Sequence, residues 1–341
     1  MKAVAYSSPF EESGMKAVTH SATPESGGTK TVTHSGTLVS SGGTKAVTHS
    51  GTFHADDVFA FAVLRAALGA VGLVRSRDPA VIEEADIVFD VGGLYEPGRR
   101  RYDHHMRDRP LRPDGETPYS SVGLIWRDYG PAALRAWLPD LDEAAAASVW
   151  ADLDAGLILE IDRADNGIAT VATGHLSQVA EAFNPVWDEA RSEDSAFLEA
   201  ADFAAGVLIR AARQAAAEAR AVALVLAAAR ASEDPRVLVL DCKLPWEKAV
   251  FEHGLDRVLF AVYPNDEGTN WYCRTVPPEP GSFGQRLPLP AAWGGLRDEA
   301  FAQAAGVADG VFCHPSLFIC AARSRAAVLE LARRAITAAG A

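Results

Sequence analysis

Three clusters of histidine and aspartate residues constrain this chain most, because each lies at the end of a short apolar run. The clusters span residues 49–57, 86–93 and 102–105. The spacing between them is about that of a strand–helix–strand unit, so the clusters can meet at one edge of a parallel sheet. Imidazole and carboxylate groups gathered at one edge are typical of a metal site.

Apolar strand patterns alternate with helical patterns after residue 45. The alternation predicts strands at residues 46–48, 72–75 and 87–91 and a helix at residues 56–68. A repeated strand, turn and helix predict an α/β fold with a doubly wound parallel sheet and a site at the carboxyl ends of its strands. Further helices are predicted at residues 120–129, 143–162, 175–183 and 195–231.

The length of 341 residues favours two domains. The pattern changes near residue 232, after which strands at residues 236–240, 257–263 and 270–276 and a helix at 324–338 are predicted. We therefore predict a catalytic domain over residues 45–231 and a smaller α+β domain over residues 232–341. The N-terminal region contains Gly/Ser-rich repeats, and only the third copy, at residues 45–50, continues into the first His/Asp cluster. Residues 1–44 are therefore expected to form a disordered extension.

Composition narrows the cellular context and the partners. The net charge of -13 argues against broad coating of nucleic acid, although it allows a local basic site. No apolar run reaches the roughly 18 residues that cross a bilayer, and no export signal precedes the first cluster. The four widely spaced cysteines predict reduced thiols in a cytoplasmic protein. A homo-oligomer remains open.

The clusters and one helix-end aspartate offer more groups than a single metal ion needs. The candidate ligands are His49, His54, Asp56, Asp90, His104 and Asp162. Such donors suit Mn²⁺, Fe²⁺, Co²⁺ or Zn²⁺. We expect two divalent ions, with Mn²⁺ as the first choice and Mg²⁺, Co²⁺ or Zn²⁺ as alternatives. With Asp90 as a bridge, the two ions would hold a hydroxide and clamp a phosphate ester. The plain alternative is that each His or Asp is a turn or cap residue.

Longer strings in the sequence resemble a known family. Tyr102-Asp103-His104-His105 after Asp90-Val91-Gly92 resembles the DHH phosphoesterase superfamily, and the likeness to the melanocyte proliferating gene (MYG) family covers about residues 45–340. The strings that carry it are Thr48-His49-Ser50-Gly51-Thr52-Phe53-His54-Ala55-Asp56-Asp57, Asp90-Val91-Gly92-Gly93, Ser120-Ser121-Val122-Gly123-Leu124-Ile125, Glu160-Ile161-Asp162-Arg163-Ala164-Asp165-Asn166-Gly167, Pro245-Trp246-Glu247 and Trp293-Gly294-Gly295-Leu296-Arg297.

The resemblance implies a DHH-like sheet domain followed by a smaller α+β domain, with the active site in the cleft between them. It also implies a metal-dependent hydrolase, since eukaryotic members are associated with 3′–5′ RNA exonuclease activity. The metal-ligand roles fall on His49, Asp56, Asp90, His104 and Asp162. His105 becomes the acid or phosphate-contacting group, with Asp103 beside it in the motif.

Two departures from the family patterns affect the expected site. The superfamily's first motif has Asp where His54 stands. Near the C-terminus, Cys320 follows Phe-Ile where the family usually has a small or Gly pair. If the family loop binds substrate through its backbone, the Cys320 side chain should narrow that loop. The expected substrate-binding residues are Arg101 and Arg107 beside the third cluster and His314, Arg323 and Arg325 near the C-terminus.

The leading hypothesis is a Mn²⁺-dependent 3′–5′ exonuclease that trims single-stranded RNA or short oligonucleotides. One alternative is the hydrolysis of a small nucleotide, a pyrophosphate or another small phosphate ester. An alternative of another class is a non-catalytic metal-bound scaffold, which the acidic composition and Cys320 would allow.

Overall fold

The computed structural model describes residues 43–169 and 171–340. The repeat copies at residues 16–21 and 30–35, and nearly all of the extension predicted over residues 1–44, lie outside the described residues. None of the helices in the described ranges is long and apolar enough to cross a membrane.

The first sheet has the strand order β2-β1-β3-β5-β4. Its strands are β1 (Thr44–Thr48), β2 (Val71–Arg75), β3 (Ile87–Phe89), β4 (Tyr95–Glu96) and β5 (Arg101–Tyr102). The first four strands in this order are parallel, and β4 is antiparallel to β5. The sequence predicted β1, β2 and β3, whereas β4 and β5 are two residues each and too short to show a periodic pattern.

Helices cover both faces of the first sheet. Alternate strand residues point to opposite faces, so Ala46 and Ile87 lie in the large core, whereas Val47 and Val88 lie in a smaller apolar cluster. Helix α1 (Ala55–Leu68) packs in the large core, and α2 (Pro79–Glu83) packs on the smaller cluster. The α/β class predicted from the sequence is confirmed.

A helical layer completes the large core. It comprises α3 (Ser121–Trp137), α4 (Glu143–Leu153), α5 (Leu159–Asp165), α6 (Leu176–Glu181) and α7 (Glu193–Ala231). The single helix predicted over residues 143–162 is interrupted, because a π-helical turn at Asp154–Ile158 joins α4 to α5. Such a turn changes the facing of the residues that follow it, and periodicity alone does not reveal it.

The second sheet is mixed and has the order β6-β7-β8-β10-β9. Its strands are β6 (Val237–Val239), β7 (Phe260–Pro264), β8 (Trp271–Thr275), β9 (Gly310–Cys313) and β10 (Ile319–Ala322), and its helices are α8 (Glu247–Glu252), α9 (Asp298–Ala305) and α10 (Arg325–Ala339). The sequence predicted β6, β7, β8 and α10. The division into two domains with a cleft between them stays a prediction.

The expectation for Cys320 changes with its surroundings. Cys320 lies within β10, is fully buried in the second core, and pairs across the sheet with Cys273 and Cys313. It fills an apolar core and does not lie in a loop, so the predicted narrowing of a substrate loop by this side chain is wrong. The small thiol behaves there as an ordinary apolar side chain.

Candidate metal centre

The first two candidate ligands lie at the ends of neighbouring parallel strands. His49 directly follows β1 and Asp90 directly follows β3, and these two strands pair. Nε2 of His49 lies 3.2 Å from Oδ2 of Asp90, and both side chains are buried. Asp90 has a φ angle of 55°, and holding a non-glycine residue in this left-handed region costs on the order of 1–3 kcal/mol. The surrounding contacts therefore hold Asp90 in a strained conformation at the strand end.

The start of α1 brings two more carboxylates to the same place. His54 is the N-cap of α1, and its N–H donates to Oδ1 of Asp57 at 3.0 Å. Oδ2 of Asp57 lies 3.2 Å from Nε2 of His49. Asp56 and Asp57 are both buried in the first turn, where the helix dipole favours negative charge. His54 is exposed at the rim, and its ring centroid lies 5.7 Å from that of His49.

His104 lies among three carboxylates. Its Nε2 is 3.0 Å from Oδ1 of Asp90, 3.6 Å from Oδ2 of Asp56 and 3.6 Å from Oδ2 of Asp165. Asp90 thus contacts His49 through one oxygen and His104 through the other. Asp90 therefore connects the two histidines of the cluster.

The N-terminus of α3 holds the cluster from behind. The Ser121 hydroxyl donates to Oδ1 of Asp90 at 3.0 Å, and the Ser121 N–H donates to Oδ2 of Asp56 at 3.2 Å. A helix N-terminus stabilises negative charge through its free N–H groups and its dipole. From the sequence, the Ser-Ser pair was recognised only as part of a family string.

Asp103 orients His105 and lies outside the candidate ligand groups found among the described residues. Oδ1 of Asp103 accepts the N–H of His104 at 2.8 Å, the N–H of His105 at 3.2 Å and Nδ1 of His105 at 2.7 Å. The His105 side chain is 61% exposed, whereas that of His104 is only 6% exposed. The two neighbouring imidazoles therefore face different surroundings, as expected for successive residues on a turning backbone.

The structure places the predicted ligand Asp162 elsewhere. Its Oδ2 accepts Nε of Arg112 at 2.6 Å, and its Oδ1 accepts the N–H and hydroxyl of Ser120 at 3.1 and 2.6 Å. Asp165, one helical turn further along α5, reaches His104 instead. Two aspartates one turn apart share a helix face, so the string alone gave no means of choosing between them. The structure therefore does not bring the predicted ligand Asp162 to the cluster, and Asp165 takes its place as the candidate ligand.

The predicted substrate-binding residues are spread over both sheets. Arg101 is buried, and its guanidinium donates to the carbonyls of Arg99 and Glu83 at 3.0 and 3.4 Å, so it supports the first sheet. Arg107 is exposed two residues after His105.

The three C-terminal candidates lie around the second sheet. Nδ1 of His314 accepts the Ser316 N–H at 3.0 Å in the turn between β9 and β10. Arg323 is exposed directly after β10. Arg325 lies over the ring of Trp271, with 5.7 Å from the guanidinium carbon to the ring centroid.

Burial and mutual contact set the charges of the cluster. Burial and neighbouring carboxylates raise the pKa of Asp56 well above its usual value. Burial also acts to raise the pKa of Asp90, but hydrogen bonds from His104 and His49 outweigh it and hold this pKa below its usual range. Burial lowers the pKa of His49, whereas its contacts with Asp57 and Asp90 raise it, with a net result of about 10. His49 without a metal is therefore a buried imidazolium.

The donor set fits a divalent ion. Four overlapping groups of three residues have ligand atoms within 4.8 Å of one another, and Asp90 belongs to three of them. The groups are His49, His54 and Asp90; Asp90, His104 and His105; His54, Asp56 and Asp165; and Asp56, Asp57 and Asp90. Oδ1 of Asp56 is buried with no hydrogen-bond partner among the described residues. An uncompensated buried carboxylate oxygen is costly, and a cation would satisfy it.

The α/β fold carries a buried His/Asp cluster with the donor set that a metal-dependent hydrolase needs. The family model described as MYG1_exonuc, Uncharacterised protein family (UPF0160), matches residues 45–336. The chain therefore belongs to this family, which confirms the family and the hydrolase class predicted from the sequence.

Individual relatives agree with the family match. The chain is 33% identical over 320 residues to the MYG1 exonuclease of Homo sapiens, with 82% of each chain covered. It is 32% identical over 309 residues to a MYG1 protein of Schizosaccharomyces pombe, covering 83% of this chain and 94% of that relative. A solved structure of RecJ from Thermus thermophilus in complex with Mn²⁺ matches at 14% identity with a TM-score of 0.27, over 87% of this chain. The chain spans about half the length of that RecJ, 52%.

The different surroundings of Asp162 and Asp165 predict different losses for the two aspartates of α5. Asp165→Asn should weaken Mn²⁺ binding by about 100-fold or more, because it removes a carboxylate from the cluster. Asp162→Asn should leave Mn²⁺ affinity nearly unchanged and lower the free energy of unfolding by up to about 3 kcal/mol, because it weakens a buried ion pair. Mn²⁺ titration calorimetry and urea unfolding measure the two effects. Loss of Mn²⁺ binding in Asp162→Asn alone would restore the original assignment.

Mn²⁺ binding should release protons. His49 has a pKa of about 10 and is protonated at pH 7, but an imidazolium cannot bind a metal. Its proton must leave before the ion binds, so apparent Mn²⁺ affinity should rise as the pH rises towards 10. Calorimetry at pH 7 in buffers of different ionisation enthalpy measures the released protons, and His49→Gln should release fewer. Identical heats in all buffers would contradict the prediction.

Proposed function

We propose that this protein is a Mn²⁺-dependent phosphodiesterase that removes nucleotides from the 3′ end of single-stranded RNA or short oligonucleotides. The observation that carries the proposal is the position of Asp90, which contacts both His49 and His104 within a buried set of carboxylates. The names of the mammalian relatives, MYG1 exonuclease, support a nucleic-acid substrate.

Two divalent ions are proposed for the cluster. His49, Asp56, Asp90, His104 and Asp165 would hold them, with Asp57 behind His49 and His54 at the rim. Mn²⁺ is the first choice, and Mg²⁺, Co²⁺ and Zn²⁺ are alternatives. When bound, such ions polarise a phosphoryl oxygen and activate water at neutral pH. The cytoplasmic location and a homo-oligomeric state also stay proposals.

His105 is proposed to supply a proton or a positive charge to the substrate. Its hydrogen bond with Asp103 raises its pKa, so the ring stays protonated at higher pH than an isolated imidazole. The exposed ring is oriented by the buried Asp103 carboxylate, which leaves the other ring nitrogen for a phosphate or a leaving oxygen. Asp103 is therefore a positioning residue.

Substrate phosphates are proposed to contact four basic side chains. Arg107 lies close to His105 in the chain, and His314, Arg323 and Arg325 are candidates on the second sheet. Arg101 is better explained as a structural residue, because its guanidinium is buried against backbone carbonyls.

A small-nucleotide or pyrophosphate hydrolase is the second candidate function. The net charge of -13 favours it, since long polyanions are repelled by an acidic surface. A labelled oligonucleotide separates the two functions, because stepwise trimming gives a ladder, whereas a small-nucleotide hydrolase leaves the oligonucleotide intact.

The alternative of a non-catalytic metal-bound scaffold no longer has the support of Cys320, because this residue lies in the second core. It would be restored if purified protein with Mn²⁺ cleaved neither oligonucleotides nor a generic phosphodiester.

The neighbouring histidines should differ in the step they affect. His104→Ala should lower Mn²⁺ content as well as rate, because His104 lies inside the cluster. His105→Ala should keep the metal, lose about 100-fold or more in kcat, and flatten the limb of the pH–rate curve that reports the acid. Bound Mn²⁺ and single-turnover rates on both variants measure this. If His105→Ala were the variant that lost metal, the two roles would be reversed.

A further inference from the structure

One tryptophan of this protein is almost completely exposed. The Trp187 side chain is 96% exposed and its neighbour Val186 is 61% exposed, whereas Trp126, Trp246 and Trp293 are buried. Most such rings are buried in soluble proteins, so the Trp187 ring differs from these three in being free to contact a ligand.

The backbone around Trp187 is held in a defined turn. The Glu189 N–H donates to the Val186 carbonyl at 3.0 Å, and the Glu189 carboxylate accepts the Val186 N–H at 3.3 Å. These two bonds close a turn that has Trp187 at its tip. The exposed ring is therefore displayed on an ordered turn.

The start of segment 184–194 is bonded to the residue that precedes His54. The Asn184 side chain accepts the Phe53 N–H at 3.0 Å and donates to the Phe53 carbonyl at 2.9 Å. Phe53 immediately precedes His54, the exposed histidine at the rim of the cluster. Trp187 is three residues from Asn184, so their Cα atoms are at most about 11 Å apart at 3.8 Å per residue.

The end of the segment is fixed to the same stretch. Glu193 and Asp194, in the first turn of α7, lie 3.8 and 3.6 Å from Nη1 of Arg75. Arg75 donates through its other terminal nitrogen to the carbonyl of Gly51. Both ends of segment 184–194 are thus tied to residues 51–53, which connect His49 to His54. The turn that carries Trp187 therefore lies in a segment whose two ends are anchored next to this connection.

We propose that Trp187 is a stacking platform for a nucleobase of the single-stranded nucleic acid that enters the metal centre. The inference rests on the proposed exonuclease function. A chain of net charge -13 gains little from general attraction to phosphates, whereas stacking of a base on an aromatic ring does not depend on charge. Asp188 and Glu189 beside the ring would repel a phosphate at this position, so the base and not the backbone faces the ring.

Steady-state kinetics on two substrates test the platform. Trp187→Ala should lower kcat/KM for a labelled RNA octamer by about 10- to 100-fold, mostly through KM, because the stacking contact is lost. The same variant should leave hydrolysis of bis(p-nitrophenyl) phosphate unchanged, because a substrate this small occupies the metal centre without extending to the Trp187 ring. Trp187→Phe should keep most of the octamer activity. Phe283→Ala, which removes a fully exposed aromatic ring between β8 and β9, is the matched control and should behave as wild type.

Abasic nucleotides locate the contact directly. Replacing one nucleotide at a time in the octamer should weaken wild-type binding most at one position, and Trp187→Ala should lose that positional effect. An unchanged octamer KM in Trp187→Ala would overturn the inference, as would equal loss on both substrates or an equal loss in Phe283→Ala. Reduced self-association of Trp187→Ala with an unchanged octamer KM would identify a protein contact and overturn it too. If wild-type protein cleaved only bis(p-nitrophenyl) phosphate, the proposed exonuclease function itself would fail.

Discussion

The burial of several carboxylates around two imidazoles is the constraint on which the first half of this molecule depends. Asp56, Asp57 and Asp90 are almost wholly excluded from water, and such charges are tolerated only when they are paired and hydrogen-bonded. His49 and His104 approach Asp90 from its two oxygens. The N-terminus of α3 donates to the same group through Ser121. Strands, helix starts and turns in this region all contribute to one arrangement that favours a bound cation.

A residue of the metal centre could be predicted only where the sequence around it indicates its position in the fold. His49 and Asp90 directly follow apolar strands, and parallel strands bring their carboxyl ends together, so the alternating pattern sufficed for both. Asp165 shares a helix face with Asp162, and the sequence does not show that Arg112 binds Asp162 and leaves Asp165 to face the cluster. The role of Ser121 could not be predicted, because the carboxylates that it contacts are distant in sequence.

The elements of the fold were likewise predictable only where the sequence pattern is long enough. Long periodic helices such as α1 and α7 were predicted within two residues at each end, since many positions contribute to the pattern. The two-residue strands β4 and β5 and the π-helical turn at Asp154–Ile158 carry too few residues for a periodic signal. Cys320 was misplaced for a different reason. Its role was inferred from a family loop, whereas the cross-strand partners Cys273 and Cys313 put it in a core.

The most direct test of a metal-dependent phosphodiesterase centred on Asp90 is Mn²⁺-supported cleavage of a labelled RNA octamer by matched variants of β3. Asp86→Ala is the control, because Asp86 precedes β3, whereas Asp90 follows it. The Asp86 carboxylate accepts the Lys45 N–H at 2.7 Å. We expect wild-type protein to give a ladder that disappears with EDTA, Asp86→Ala to retain the ladder, and Asp90→Ala to abolish it while staying folded. A ladder of undiminished rate from Asp90→Ala would contradict a catalytic metal centre built on Asp90.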